Sequence, residues 1–222
     1  MYRSALPYAQ TAGIDIPLIC YQGAAVVDPK TGEWLLHEPI PLDLAREAIA
    51  AVTDAGFGLN CYVDDELYVS ELTEYARSYA DFQGLPITAV GDLLEWLERP
   101  PTKLVVVAAP AALDELRPRI AARFEERLFV AKSLPHFLEF ASPRVSKGTG
   151  LAFVAEHLGF DAAQTVAFGD GENDLELIEW AGFGISVEDG FAGLLAAADW
   201  VCPSPDDEGV AQVIEALLDS RA

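Results

Sequence analysis

Lysine is scarce in this chain: only Lys30, Lys103, Lys132 and Lys147 occur, and the 14 Lys and Arg residues face 36 Asp and Glu, a formal charge of −22. Without a basic patch there is nothing to neutralise a phosphate backbone, which excludes nucleic acid as a partner. The same charge predicts self-repulsion between copies in solution. Cysteine is equally sparse. Cys20, Cys61 and Cys202 are odd in number, far apart and free of any CxxC pair, so neither a disulfide framework nor a zinc site is expected, and a reducing cytoplasm fits best. The longest apolar runs, Leu104–Ala109 and Ala192–Ala198, are far too short to span a bilayer. No basic-plus-apolar opening reads as a signal peptide. The three histidines, His37, His136 and His157, lack an evident triad partner, and no internal repeat or low-complexity tract is present.

What remains is a chain of 222 residues, half of them hydrophobic, enough for one large domain or two modest ones. Its opening predicts a helix over 4–12 closed by Gly13, a buried strand over 17–21, and a hairpin of 24–27 with 34–37 around Asp28-Pro-Lys-Thr-Gly32. Apolar spacing predicts helices over 42–55, 72–82, 93–97 and 113–124, with Pro118 expected to start or kink the last. Strands are expected at 59–63, 67–69, 103–108, 127–131 and 137–140. Aromatic Tyr62, Tyr68, Trp96 and Phe137 either face a substrate or pack in the core, with core packing the favoured reading, and the small Cys20 is read as core. After Pro143 the character changes to strict alternation: helix 147–158, strand 165–168, helix 174–181, strand 183–187, helix 191–197, strand 200–202, helix 210–218. Alternation of this kind builds a doubly wound parallel α/β sheet, whereas the middle reads as a mixed α+β insertion. The expected division is 1–40, 41–142 and 143–222.

The chemistry concentrates in Gln164–Glu179. A β-branched and aromatic strand breaks at Gly169 into Asp170-Gly-Glu-Asn-Asp174 and re-enters a helix ended by Gly182. Strand, glycine turn and helix N-terminus place carboxylates and backbone N–H groups at the carboxyl edge of a parallel sheet, where a cation and a phosphate sit. The plain alternative is a solvated turn in which Asn173 or Asp174 caps a helix, worth about 1 kcal/mol. A calcium loop fails, because Leu175 stands where its sharp-turn glycine is required. An oxygen-rich cluster suits Mg²⁺, which binds through one or two carboxylates plus substrate phosphate. Lys147 follows the candidate N-cap Ser146 in the first turn of its helix. A cation there opposes the helix dipole at a cost of roughly 0.3–1 kcal/mol, unless an anion shares the site. An exposed lysine swinging into water is the other reading. His157 lies in a helix's last turn, where a cation is favoured, and is read as structural.

Lys147 within Val145-Ser-Lys-Gly-Thr-Gly-Leu151, and Asp170, Asn173 and Asp174 within Ala167–Glu179, resemble the third and fourth motifs of haloacid-dehalogenase-superfamily phosphatases of the Cof type (subfamily IIB). That subgroup carries a large α+β cap inserted after the third core strand, and the likeness runs along essentially the whole chain. The resemblance implies a Rossmann-like α/β core of 1–40 and 143–222 with a cap at 41–142. It implies Mg²⁺ held by Asp170 and Asp174, the transferring phosphoryl group held by Lys147, and substrate phosphate contacted by Asn173. Asp174 would position Lys147 or a metal-bound water. The family's reaction is phosphomonoester hydrolysis through an aspartyl-phosphate, on sugar phosphates or phosphorylated cofactors.

The chain departs from the family at its start. No Asp-x-Asp-Gly-Thr, which would supply the nucleophile and general acid, precedes the insertion, and the second motif's Ser or Thr is also missing. Asp64-Asp65 and Asp206-Asp207 follow no N-terminal core strand, and Gln22 replaces the family's usual Asn before Gly23-Ala24. The expectation is therefore a core lacking its first strands, prone to aggregate and inactive without an upstream segment. Two other readings are a non-catalytic module that binds a phosphorylated ligand or a partner protein, and a receiver-like acidic domain, which the long insertion opposes.

Overall fold

Residues 1–219 are described by the computed structural model, in two units, Met1–Val145 and the part from Ser146 onward. The first unit begins with helix α1 (Tyr2–Thr11), two residues ahead of its expected start, with Pro7 inside it. Strands β1 (Leu18–Cys20), β2 (Ala25–Val27) and β3 (Trp34–His37) form an antiparallel sheet in that order. Between β1 and β2 the chain turns sharply through Tyr21 and Gln22, both left-handed with φ of 54° and 60°. A left-handed backbone is costly for side chains of this size, so surrounding contacts must hold it.

Next come α2 (Leu42–Asp54), β4 (Asn60–Val63), β5 (Glu66–Val69), α3 (Glu74–Gln83), β6 (Ile87–Ala89), α4 (Leu93–Trp96), β7 (Lys103–Val107), α5 (Pro110–Phe124), β8 (Phe129–Leu134) and β9 (Phe137–Ala141). The strands make one sheet in the order β6-β5-β4-β7-β9-β8, antiparallel except for β5 with β6. Side chains alternate between its faces, as a period of two requires. Cys61, Val63, Leu104, Val106, Leu138 and Phe140 pack on the apolar faces of α2 and α5. Tyr62, Leu67, Val105 and Ala141 take the opposite face with Tyr79 and Ala80 of α3 and with Cys20, Tyr21, Ala25 and Val27. Helix α5 begins at Pro110, a residue suited to the first helical position, so Pro118 lies inside the helix and does not start it. Strand β6 falls where no element is expected.

Two polar ties cross the second face. The Tyr21 hydroxyl donates to the buried Asp65, and Gln22 Nε2 donates to Glu139 at 2.7 Å. Glu139 also accepts from Ser133 Oγ at 2.7 Å and from Lys103 Nζ at 3.1 Å. Lys103 and Glu139 side chains are each only 6% exposed.

The second unit holds α6 (Lys147–Leu158), β10 (Val166–Gly169), α7 (Leu175–Trp180), β11 (Phe183–Val187), α8 (Ala192–Ala197), β12 (Trp200–Cys202) and α9 (Gly209–Asp219). Its strands run parallel in the order β10-β11-β12, the α/β pattern expected from strict alternation. Ile185, Val187 and Cys202 pack against Val213 of α9. Ala167 meets Ile178 and Leu194 on the other face. Among the described residues only β11 pairs with β10, and Val166, Phe183 and Trp200 are exposed. No helix among the described residues is long and apolar enough to cross a membrane.

Candidate active site

Ser146 caps α6 as expected. Its hydroxyl accepts from Thr149 N–H at 3.1 Å, and Thr149 Oγ1 accepts from Ser146 N–H at 2.8 Å. This reciprocal cap satisfies two orphan donors and fixes the first turn. Lys147 follows immediately. Gly148 then lets α6 approach α7: a Cβ there would lie 2.4 Å from the Glu176 carbonyl oxygen.

β10 ends at Gly169, where a Cβ would lie 2.5 Å from Asp174 Cβ, so the Asp174 side chain passes directly over this glycine. The carboxylate is then shared. Oδ1 accepts from Lys147 Nζ, and Oδ2 accepts from the N–H groups of Asp170 and Gly171, both at 3.0 Å. Asp174 therefore does not cap the helix that follows it, and its side chain makes no cap hydrogen bond. Residues Glu172–Asp174 form a tight 3₁₀ turn before α7 begins at Leu175. Helix α7 is accordingly shorter than the expected 174–181. Asn173 folds back over Gly171, with Oδ1 2.5 Å from where a Cβ would stand.

Burial would raise the Asp174 carboxyl, but the Lys147 charge and hydrogen bond and the two backbone donors outweigh it and hold it below the usual carboxylate range. Asp170 moves the other way: desolvation and the neighbouring Asp174 carboxyl raise it, against a smaller pull from Lys147. Two carboxyl groups side by side, one of them displaced upward, are a configuration that a cation relieves. The donor set is all oxygen, which suits a hard divalent ion that keeps waters. Among the described residues no group of three or more His, Cys, Asp or Glu side chains is arranged to hold a metal, so this chain offers two carboxylates and no closed cage.

Two supports carry no sequence signal. The Phe191 N–H donates to the Asp170 carbonyl at 2.8 Å, and Gly190 fits beneath it. Each of the four lysines meets a carboxylate: Lys30 with Asp15, Lys103 with Glu139, Lys132 with Asp114 and Lys147 with Asp174. Of these, Lys147 alone stands at the first position of a helix. The histidines stay outside this cluster. His37 Nε2 lies 2.9 Å from Thr102 Oγ1, and His157 stacks on Phe153. The cysteines are buried and free, as small core residues.

The parallel α/β unit thus brings an amine at one helix N-terminus onto a carboxylate beside the end of a strand. The sequence profile of haloacid dehalogenase-like hydrolases matches residues 1–214; this chain belongs to that family. It is 26% identical over 224 residues to the 5-amino-6-(5-phospho-D-ribitylamino)uracil phosphatase YitU of Bacillus subtilis, covering 96% of this chain and 80% of the relative. The crystal structure of TM0651 from Thermotoga maritima superposes with a TM-score of 0.81 at 32% identity, covering 97% of this chain and 81% of that one. The subclass IIB sugar phosphatase BT4131 shares the fold, with a TM-score of 0.77 at 20% identity over 96% of this chain and 79% of that one.

Proposed function

We propose that these residues form the phosphate- and metal-binding part of a Mg²⁺-dependent phosphomonoester hydrolase acting on small phosphorylated substrates, sugar phosphates or phosphorylated cofactors. The observation that carries this reading is the Lys147–Asp174 pair, locked beneath the Asp170 turn by two backbone N–H groups. In it, Lys147 holds the charge of the transferring phosphoryl group and Asn173 contacts the substrate phosphate. Asp174 orients the Lys147 amine and, with Asp170, provides carboxylate oxygen to the cation. Mg²⁺, when bound, neutralises phosphate charge. Residues 41–142 act as the cap, and 1–40 and 143–222 belong to the core. The three buried thiols and the charge of −22 support a cytoplasmic setting without nucleic acid or membrane as partner. The small phosphorylated substrate named for YitU is of the same class.

Residues 1–40 contain no Asp-x-Asp, and a covalent route needs a carboxylate nucleophile. In this reading turnover needs an upstream segment that carries that nucleophile. p-Nitrophenyl phosphate hydrolysis with Mg²⁺ tests this on the 222-residue chain beside a form extended upstream. The expected result is no turnover from the first and turnover from the second. Hydrolysis by a well-folded 222-residue sample overturns this requirement. If neither form turns over while both bind phosphate, the non-catalytic phosphate-binding reading replaces the enzyme.

A further inference from the structure

The loop that follows β11 touches the acidic turn from outside it. Residues 188–191 are tied in three places. Glu188 N–H donates to the Cys202 carbonyl at 2.9 Å, Gly190 N–H to the Val187 carbonyl at 3.0 Å, and Phe191 N–H to the Asp170 carbonyl at 2.8 Å. Space is closed around Gly190. A Cβ there would lie 2.7 Å from Ser186 Oγ, 2.9 Å from the Val187 carbonyl oxygen and 3.3 Å from the Asp170 carbonyl oxygen. Ser186 is fully buried and donates its hydroxyl to the same Val187 carbonyl at 3.0 Å. A side chain at 190 would therefore displace the loop that holds Asp170.

Asp170 is clamped on both sides of its backbone. Its N–H donates to Asp174 Oδ2 at 3.0 Å, and its carbonyl accepts from Phe191. With the backbone pinned at both groups, only side-chain rotation is left to the carboxylate. Hydrogen bonds one shell out from a metal ligand orient it, and losing them typically costs about 10–100-fold in metal affinity.

We infer that Phe191, through its backbone N–H, and Gly190, through its lack of a side chain, are positioning residues that hold Asp170 for a divalent cation. The brace has this role only if Asp170 is a cation ligand, as proposed for the Lys147–Asp174 site.

Proline at 191 removes the bracing group alone. Phe191 has a φ of −56°, within the range of a proline ring, and Gly190 has no Cβ to meet that ring. Phe191→Pro thus deletes the N–H at an unchanged φ, whereas Phe191→Ala removes the aromatic ring, which lies over Gly193, and keeps the N–H. Mn²⁺, which like Mg²⁺ suits carboxylate and water ligands, is titrated into the 222-residue chain and both variants while the electron paramagnetic resonance signal of the free ion is followed. Phe191→Pro is expected to bind Mn²⁺ at least about tenfold more weakly than Phe191→Ala. A merely structural role would lower the denaturation midpoint and leave the affinity of the folded protein alone. If Phe191→Pro fails to fold, Gly190→Ala is expected to bind Mn²⁺ about tenfold more weakly than the unsubstituted chain. Equal affinity in Phe191→Pro and Phe191→Ala, or in folded Gly190→Ala and the unsubstituted chain, overturns the brace and leaves the cation reading of Asp170 intact. An unsubstituted chain that binds no Mn²⁺ overturns that reading and the brace with it.

Discussion

Glu139→Gln is expected to destabilise the first unit by about 3–5 kcal/mol, the usual consequence of leaving one member of a buried ion pair uncompensated. Lys103 is the charge left behind, in a setting where both side chains are almost wholly shielded from water. Burial works to lower Lys103, but the Glu139 charge raises it above the ordinary lysine value; burial works to raise Glu139, but Lys103, Gln22 and Ser133 hold it below the ordinary carboxylate value. The sign of the pH dependence follows. The glutamate's contribution is present above its unfolded value of about 4.3 and fades as pH falls through the depressed folded one. The lysine's contribution is present below about 10.4 and fades as pH rises through the raised folded value. Replacing both partners by apolar residues, Lys103→Met with Glu139→Leu, is expected to restore most of the loss. Urea midpoints at constant m-value measure all three proteins. A single variant that costs less than about 1 kcal/mol would show that the Lys103–Glu139 pair does not hold this unit together.

The second large effect is on turnover. In a form that hydrolyses p-nitrophenyl phosphate, Lys147→Ala is expected to lower kcat by about 10²–10³, the range for removing one preorganised charge-stabilising donor. Lys147→Arg should recover little, because a planar guanidinium does not replace a compact ammonium on the single Asp174 oxygen that receives it. The decrease belongs in kcat at saturating substrate. A variant that raised KM alone would make Lys147 a ground-state anchor only.

The second unit was legible from sequence because its punctuation is local. Ser146 caps α6, Gly159 ends it in the left-handed region, and Gly169 turns β10 into the acidic bend. Lys147, Asp170, Asn173 and Asp174 could all be named from that pattern, and the α+β character of the middle from its shorter, less regular runs. The division of the Asp174 carboxylate was not legible. Two turn N–H groups and a lysine 27 residues away compete for it, and that competition shortens α7. The three-residue β6 was missed because its residues are mostly exposed and carry no alternation. The start of α5 was missed because Pro110 reads as a breaker until it is seen as the first helical residue. Lys103 and Glu139, 36 residues apart, meet only through the register of β7 against β9, which no local signal sets.

Calorimetric titration of inorganic phosphate into the 222-residue chain, with and without Mg²⁺, tests most directly whether the amine and the acidic bend form one phosphate-and-metal site. The expected result is a single site that needs Mg²⁺, is lost in Lys147→Ala, and loses its Mg²⁺ dependence in Asp170→Asn. Phosphate binding of equal strength in all three proteins, indifferent to the metal, would contradict it.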